Sequence, residues 1–213
     1  IIAFPDLLRN FAEDIHCLQR LGVTLVIIHD GDKSLDDAYK ELNIDCHLPD
    51  NIQISEMLLT GFINKNIVSE INKTGSLAAN ISGKDANLIE AVKIRKVQTN
   101  HNSNVQHLIH DCDQGVAESI NPDILIALEN SNIIPVISPL AEVKGSTVQL
   151  EGLHTAALIC SFLAADRFII MSYNQDYEQL TNNNHLSYED LLLTKTKKNT
   201  PLHSLVEKCK IVF

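Results

Sequence analysis

Basic residues are scarce: 17 Lys and Arg stand against 27 Asp and Glu, for a formal net charge of −10. A surface that acidic repels phosphate backbones and anionic headgroups, and no basic cluster interrupts it, so neither nucleic acid nor membrane is an expected partner. Tryptophan is absent. The five cysteines (Cys17, Cys46, Cys112, Cys160, Cys209) are odd in number, widely spaced and free of any CxxC pair. That pattern indicates neither a disulfide framework nor a zinc site and fits a reducing compartment, so a cytoplasmic location is expected. Cys17 and Cys160 fall on helical faces and are expected to pack as small buried hydrophobes. Eight glycines and six prolines are too few for a flexible linker between domains. No apolar run approaches the roughly 20 residues that span a bilayer, and no signal-peptide pattern is present. The chain opens on Ile1 rather than Met, so residues upstream of it are expected.

What is present is enough apolar content, 45% of 213 residues, to bury a sizeable core, and a single domain over residues 1–213 is expected. Leu7, Leu8, Phe11, Ile15, Leu18 and Leu21 recur at helical spacing, with Gly22 as the stop. Val23–Ile28 is an almost unbroken aliphatic run, the pattern of a strand covered on both faces. The polar turn His29-Asp30-Gly31-Asp32 follows it, and Leu35–Leu42 reads as the return helix. The same order recurs: Ile52–Leu59 and Ile63–Thr74 are helical, Gly75–Ile81 is a strand, and Ser82-Gly83-Lys84-Asp85 is a second polar turn. Asn121–Asn130 and His154–Ala165 read as helices, Ile133–Ser138 and Arg167–Met171 as strands. His101–Gln114, Asn174–His185 and the lysine-rich Lys195–Asn199 show no regular pattern. Alternation of this kind predicts an α/β sandwich around a mainly parallel sheet.

In such sheets ligands bind beyond the carboxyl ends of the strands, where backbone N–H groups and helix N-termini favour anions. Both polar turns fall at that edge. The second, with Gly83 and Lys84, suits a phosphate better than the first, where Asp30 and Asp32 flank Gly31 with negative charge. His107, His110, Asp111, Cys112 and Asp113 gather ligand-type side chains, but no second pair stands at metal-site spacing, and no metal site is expected.

The stretch Ser82-Gly83-Lys84-Asp85-Ala86-Asn87-Leu88-Ile89 resembles the Ser-Gly-Lys-Asp-Gly-Gly-Leu-Ile signature of the amino acid kinase family, in its acetylglutamate kinase branch. Glu56–Val68, Ser119–Ala127, Ile133–Leu140 and Leu21–His29 are similar to the family's flanking helices and strands, and the likeness runs from about Leu7 to Met171. It implies a three-layer α/β/α sandwich with an open, mainly parallel eight-stranded sheet, commonly paired as a homodimer. It also implies transfer of the ATP γ-phosphoryl group, with Mg2+, to the side-chain carboxylate of N-acetyl-L-glutamate in arginine biosynthesis. Gly31, Asp32, Gly83, Lys84 and Asp85 then fall in the nucleotide or substrate site. His154 takes the place of a catalytic carboxylate at a helix start.

The chain departs from the family pattern at several of these positions. The family's His-Gly-Gly-Gly turn stands here as His29-Asp30-Gly31-Asp32, no arginine lies near Asp45–His47 to grip a substrate carboxylate, and Ser204-Leu205 replaces the C-terminal Pro-Lys. One family lysine belongs to a strand upstream of Ile1. Three readings therefore stand: a divergent kinase, a catalytically silent member acting as a regulatory or structural partner, and an altered enzyme using His154 with Asp30 or Asp32 on a small cationic substrate.

Overall fold

The computed structural model describes residues 5–30, 32–43, 52–99 and 106–171. In chain order the elements are α1 (Pro5–Arg20), β1 (Ile27–Ile28), α2 (Asp32–Glu41), α3 (Ile52–Glu56), a π-helical segment (Met57–Ile63), α4 (Asn64–Lys73), β2 (Ala78–Ser82) and a 3-10 turn (Asp85–Asn87). There follow β3 (Ile89–Thr99), β4 (Gln106–Ile120), α5 (Asp123–Asn130), β5 (Ile134–Ser138), β6 (Leu140–Val143), β7 (Ser146–Leu150) and α6 (Gly152–Phe162). Gly31, the tracts after residue 171 expected to be irregular, and the stretches around Asp45–His47 and Ser204-Leu205 lie outside the described residues.

Leu8, Ala12 and Ile15 repeat at helical spacing as the buried face of α1, and Gly22 at φ +84° turns the chain out of that helix. β1, β5 and β2 form a parallel sheet in the order β1-β5-β2, with Ile28 opposite Ile137 and Ser82 opposite Ser138. Successive strand residues serve opposite faces. Ile134 and Val136 join the core built with α1, α2 and α4, whereas Ile81 and Ile137 join the core built with β3, β4, β7, α5 and α6. Burial on both faces is why β5 reads as a nearly continuous apolar run.

A second, four-stranded sheet has the order β3-β4-β7-β6, with antiparallel β3–β4 and β6–β7 pairs and a short parallel β4–β7 contact. Its long hairpin runs through the region expected to be irregular, since β4 begins at Gln106. Arg167–Met171, expected as a buried strand, forms none, and Ile169 is 68% exposed. Cys17 is exposed rather than buried, because α1 turns Leu8, Ala12 and Ile15 inward instead; Cys160 is buried as expected, and burial raises its thiol pKa. No helix among the described residues is long and apolar enough to cross a membrane.

Candidate functional site

The carboxyl ends of β1, β5 and β2 place His29, Ser138 and Ser82 side by side, so the two polar turns expected to meet a ligand do share one edge. Backbone bonds fix them: His29 N–H donates to Ile137 O at 3.3 Å and Gly83 N–H to Ser138 O at 3.3 Å. Beneath them lies a buried polar hub. Asn64 Nδ2 donates to Val136 O at 2.8 Å and to Ser138 Oγ at 2.9 Å, and the same hydroxyl lies 3.1 Å from His29 Nε2. Asn64 reaches the strands at the exit of the π-helical segment, where its N–H bonds back to Leu59 O, and π-helical turns are frequent at functional sites. Burial holds the His29 imidazole neutral, lowering its pKa from 6.5 to about 4.

Around the second turn, Asp85 Oδ2 accepts the Ser82 N–H at 2.6 Å and the Ser82 hydroxyl at 2.9 Å, so its carboxylate builds the turn that presents Lys84. Gly83 is required by space, since a Cβ there would sit 2.2 Å from the carbonyl oxygen of Leu140. Lys84 Nζ donates to Glu56 Oε1 at 2.7 Å and to Thr147 Oγ1 at 2.9 Å, and the Thr147 hydroxyl donates to Glu56 Oε2 at 2.9 Å. Ala86 and Asn87, which stand where the family signature has paired glycines, both adopt left-handed backbone, with φ of 51° and 52°. Asparagine tolerates this region, but alanine there costs about 1 kcal/mol. Ala86→Gly is therefore expected to raise stability by about 1 kcal/mol, a gain of ~2–4 °C in melting temperature by calorimetry.

The first turn is different in kind. Asp30 is pressed against the start of α6: a side chain on Gly152, the first residue of that helix, would come within 3.1 Å of the Asp30 carboxyl carbon and Oδ2. One of the chain's own carboxylates thus sits at a helix N-terminus, the kind of place that attracts anions. Asp32 opens α2. His154 lies in the first turn of α6 with Nε2 3.4 Å from Ala117 O of β4, so its ring faces the second sheet. Among the described residues no group of three or more His, Cys, Asp and Glu could hold a metal ion. Glu56, Thr147, Asn64 and Ser138 were not singled out by sequence. Asn64 alone carried a signal, as an amide within an apolar helical stripe.

The model of the amino acid kinase family matches residues 1–176. The chain is 32% identical to the acetylglutamate kinase of Sphingopyxis alaskensis over 177 residues, covering 79% of this chain and 59% of that protein. It is also 32% identical to the acetylglutamate kinase of Ehrlichia chaffeensis over 176 residues, covering 78% and 55%. The chain therefore spans between half and two thirds of the length of these curated relatives. Among solved structures, N-acetylglutamate synthase from Neisseria gonorrhoeae, complexed with coenzyme A and N-acetyl-glutamate, superposes with a TM-score of 0.68. The likeness covers 96% of this chain and 47% of that one at 17% identity. The smu.665 protein of Streptococcus mutans superposes at 0.58, covering 76% and 65% at 17% identity. These two share the fold. By its sequence and its architecture, the chain belongs to the amino acid kinase family and is acetylglutamate kinase-like.

Proposed function

We propose that the chain serves the acetylglutamate kinase reaction, ATP-dependent phosphorylation of the side-chain carboxylate of N-acetyl-L-glutamate in arginine biosynthesis, as a single cytoplasmic domain that pairs with a second copy. The observation that carries this reading is the placement of the Ser82–Asp85 signature turn, with Lys84 raised on it, at the carboxyl edge of the parallel sheet. Gly31, Asp32, Gly83, Lys84 and Asp85 would form the nucleotide and substrate edge. The chain's own part is electrostatic: a lysine and turn N–H groups neutralise anionic reactants and hold them in line. With no cluster of metal ligands among the described residues, Mg2+ would arrive on the nucleotide phosphates, as it commonly does in kinases, and would supply charge neutralisation there.

Asp30 does not fit that picture. Its carboxylate against Gly152 places negative charge where a phosphate would approach α6, and it favours the second reading, a catalytically silent member that keeps the fold as a regulatory or structural partner. His154, which the altered-enzyme reading would use, faces a backbone carbonyl of β4. Calorimetric titration with Mg2+ and a non-hydrolysable ATP analogue, with and without N-acetyl-L-glutamate, separates the two. Saturable binding, followed by ADP formation with ATP, upholds the kinase reading; no heat up to millimolar nucleotide sinks it and leaves the silent partner. Asp30→Gly is expected to tighten analogue binding about tenfold, ~1.4 kcal/mol, by removing like charge.

A further inference from the structure

Lys84, Thr147 and Glu56 close a triangle of contacts at the edge, and its geometry is that of a carboxylate held by two donors. One oxygen of Glu56 takes the Lys84 ammonium at 2.7 Å, the other takes the Thr147 hydroxyl at 2.9 Å, and the ammonium and hydroxyl are themselves bonded at 2.9 Å. Charge-assisted, two-point contact of this sort selects carboxylates over spherical anions. The two donors stand on rigid backbone. Lys84 rises from the turn locked by Asp85 and by the close approach of Gly83 to Leu140, and Thr147 belongs to β7, paired with Glu142 of β6. The acceptor comes from a different element: Glu56 is the last residue of α3, where the helix changes to π geometry. Lys84 and Glu56 are 26% and 29% exposed, so solvent reaches the pair, and a part-exposed ion pair is weak enough for an external carboxylate to compete with it.

We propose that Lys84 and Thr147 form a carboxylate receptor, filled from within by Glu56 and open to exchange with the carboxylate of a small acid. The proposal rests on the acetylglutamate kinase-like reading for the choice of acid alone. Its test uses neither nucleotide nor turnover, so either can fail while the other stands.

The probe is N-acetyl-L-glutamate, and the readout is the Lys84 ammonium resonance in 1H–15N correlation spectra, identified by its loss in Lys84→Met. In the unaltered protein the resonance is expected to shift saturably at millimolar acid and to stay fixed in sodium chloride of equal ionic strength. Glu56→Gln, which keeps the shape of the side chain but gives up its charge, is expected to bind the acid about tenfold more tightly, and Thr147→Val about fivefold more weakly. A resonance that does not move in the unaltered protein, or moves equally with chloride, overturns the proposal. So does a folded Glu56→Gln that binds no more tightly. Should that variant not fold, the unaltered protein and Thr147→Val decide the matter between them.

Discussion

Gly83→Ala is expected to cost about 3 kcal/mol or more of folding stability, at or beyond the top of the range for overpacking a core, and to leave little folded protein at 37 °C. The added Cβ would lie 2.2 Å from the Leu140 carbonyl oxygen and 2.6 Å from Ile89 Cδ1. The isoleucine can turn aside; the carbonyl cannot. Leu140 is fully buried at the start of β6, two residues beyond Ser138, whose own carbonyl accepts the Gly83 N–H. On the other side the Gly83 carbonyl accepts the Ile89 N–H at 2.9 Å. With the glycine held from both sides, relief requires separating the turn from the strand, and Lys84 moves with the turn. Urea unfolding of the variant beside Gly61→Ala is the check, because nothing lies within 4 Å of a Cβ at Gly61 and that helical change should be neutral or stabilising. A Gly83→Ala protein as stable as the parent would show that the approach to Leu140 is not rigid.

How much of this was readable in advance depends on which faces are buried. Ile134–Ser138 announces itself because both faces are covered and every residue is buried. β4 hides. Its inward positions between residues 113 and 120 include Gly115, where a Cβ would meet Val148 at 2.8 Å, and Ala117, and small residues blur the alternation that marks a half-buried strand. Arg167–Met171 misleads in the opposite sense, an aliphatic run whose described residues stay largely exposed. At the edge, the two turns were legible because local chemistry makes a turn. The partners of Lys84 were not, since Glu56 stands 28 residues before it and Thr147 63 residues after it, and no spacing rule joins them. The Asn64–Ser138–His29 hub is likewise assembled by sheet order, which places β5 between β1 and β2.

That hub should make the protein sensitive to mild acid. His29 is 5% exposed, and its folded pKa of about 4 lies below the ordinary 6.5, burial being the cause. Between those values the unfolded chain binds a proton that the folded one refuses, so stability rises with pH across the window and falls as pH drops from 6.5 towards 4. A difference of that size corresponds to about 3 kcal/mol, fully present above pH ~6.5 and lost by pH ~4. The loss is structural as well as electrostatic. Ser138 Oγ already takes the Asn64 amide, and His29 Nδ1 has no hydrogen-bond partner among the described residues, so an imidazolium there would bury an unsatisfied N–H. Urea midpoints measured from pH 4 to pH 7 should therefore show one more proton taken up on unfolding than in His29→Gln, whose amide nitrogen can still reach Ser138 but does not titrate. Parallel pH profiles for the two proteins would mean that His29 is protonated alike in both states, with the ring reaching water that this packing denies it.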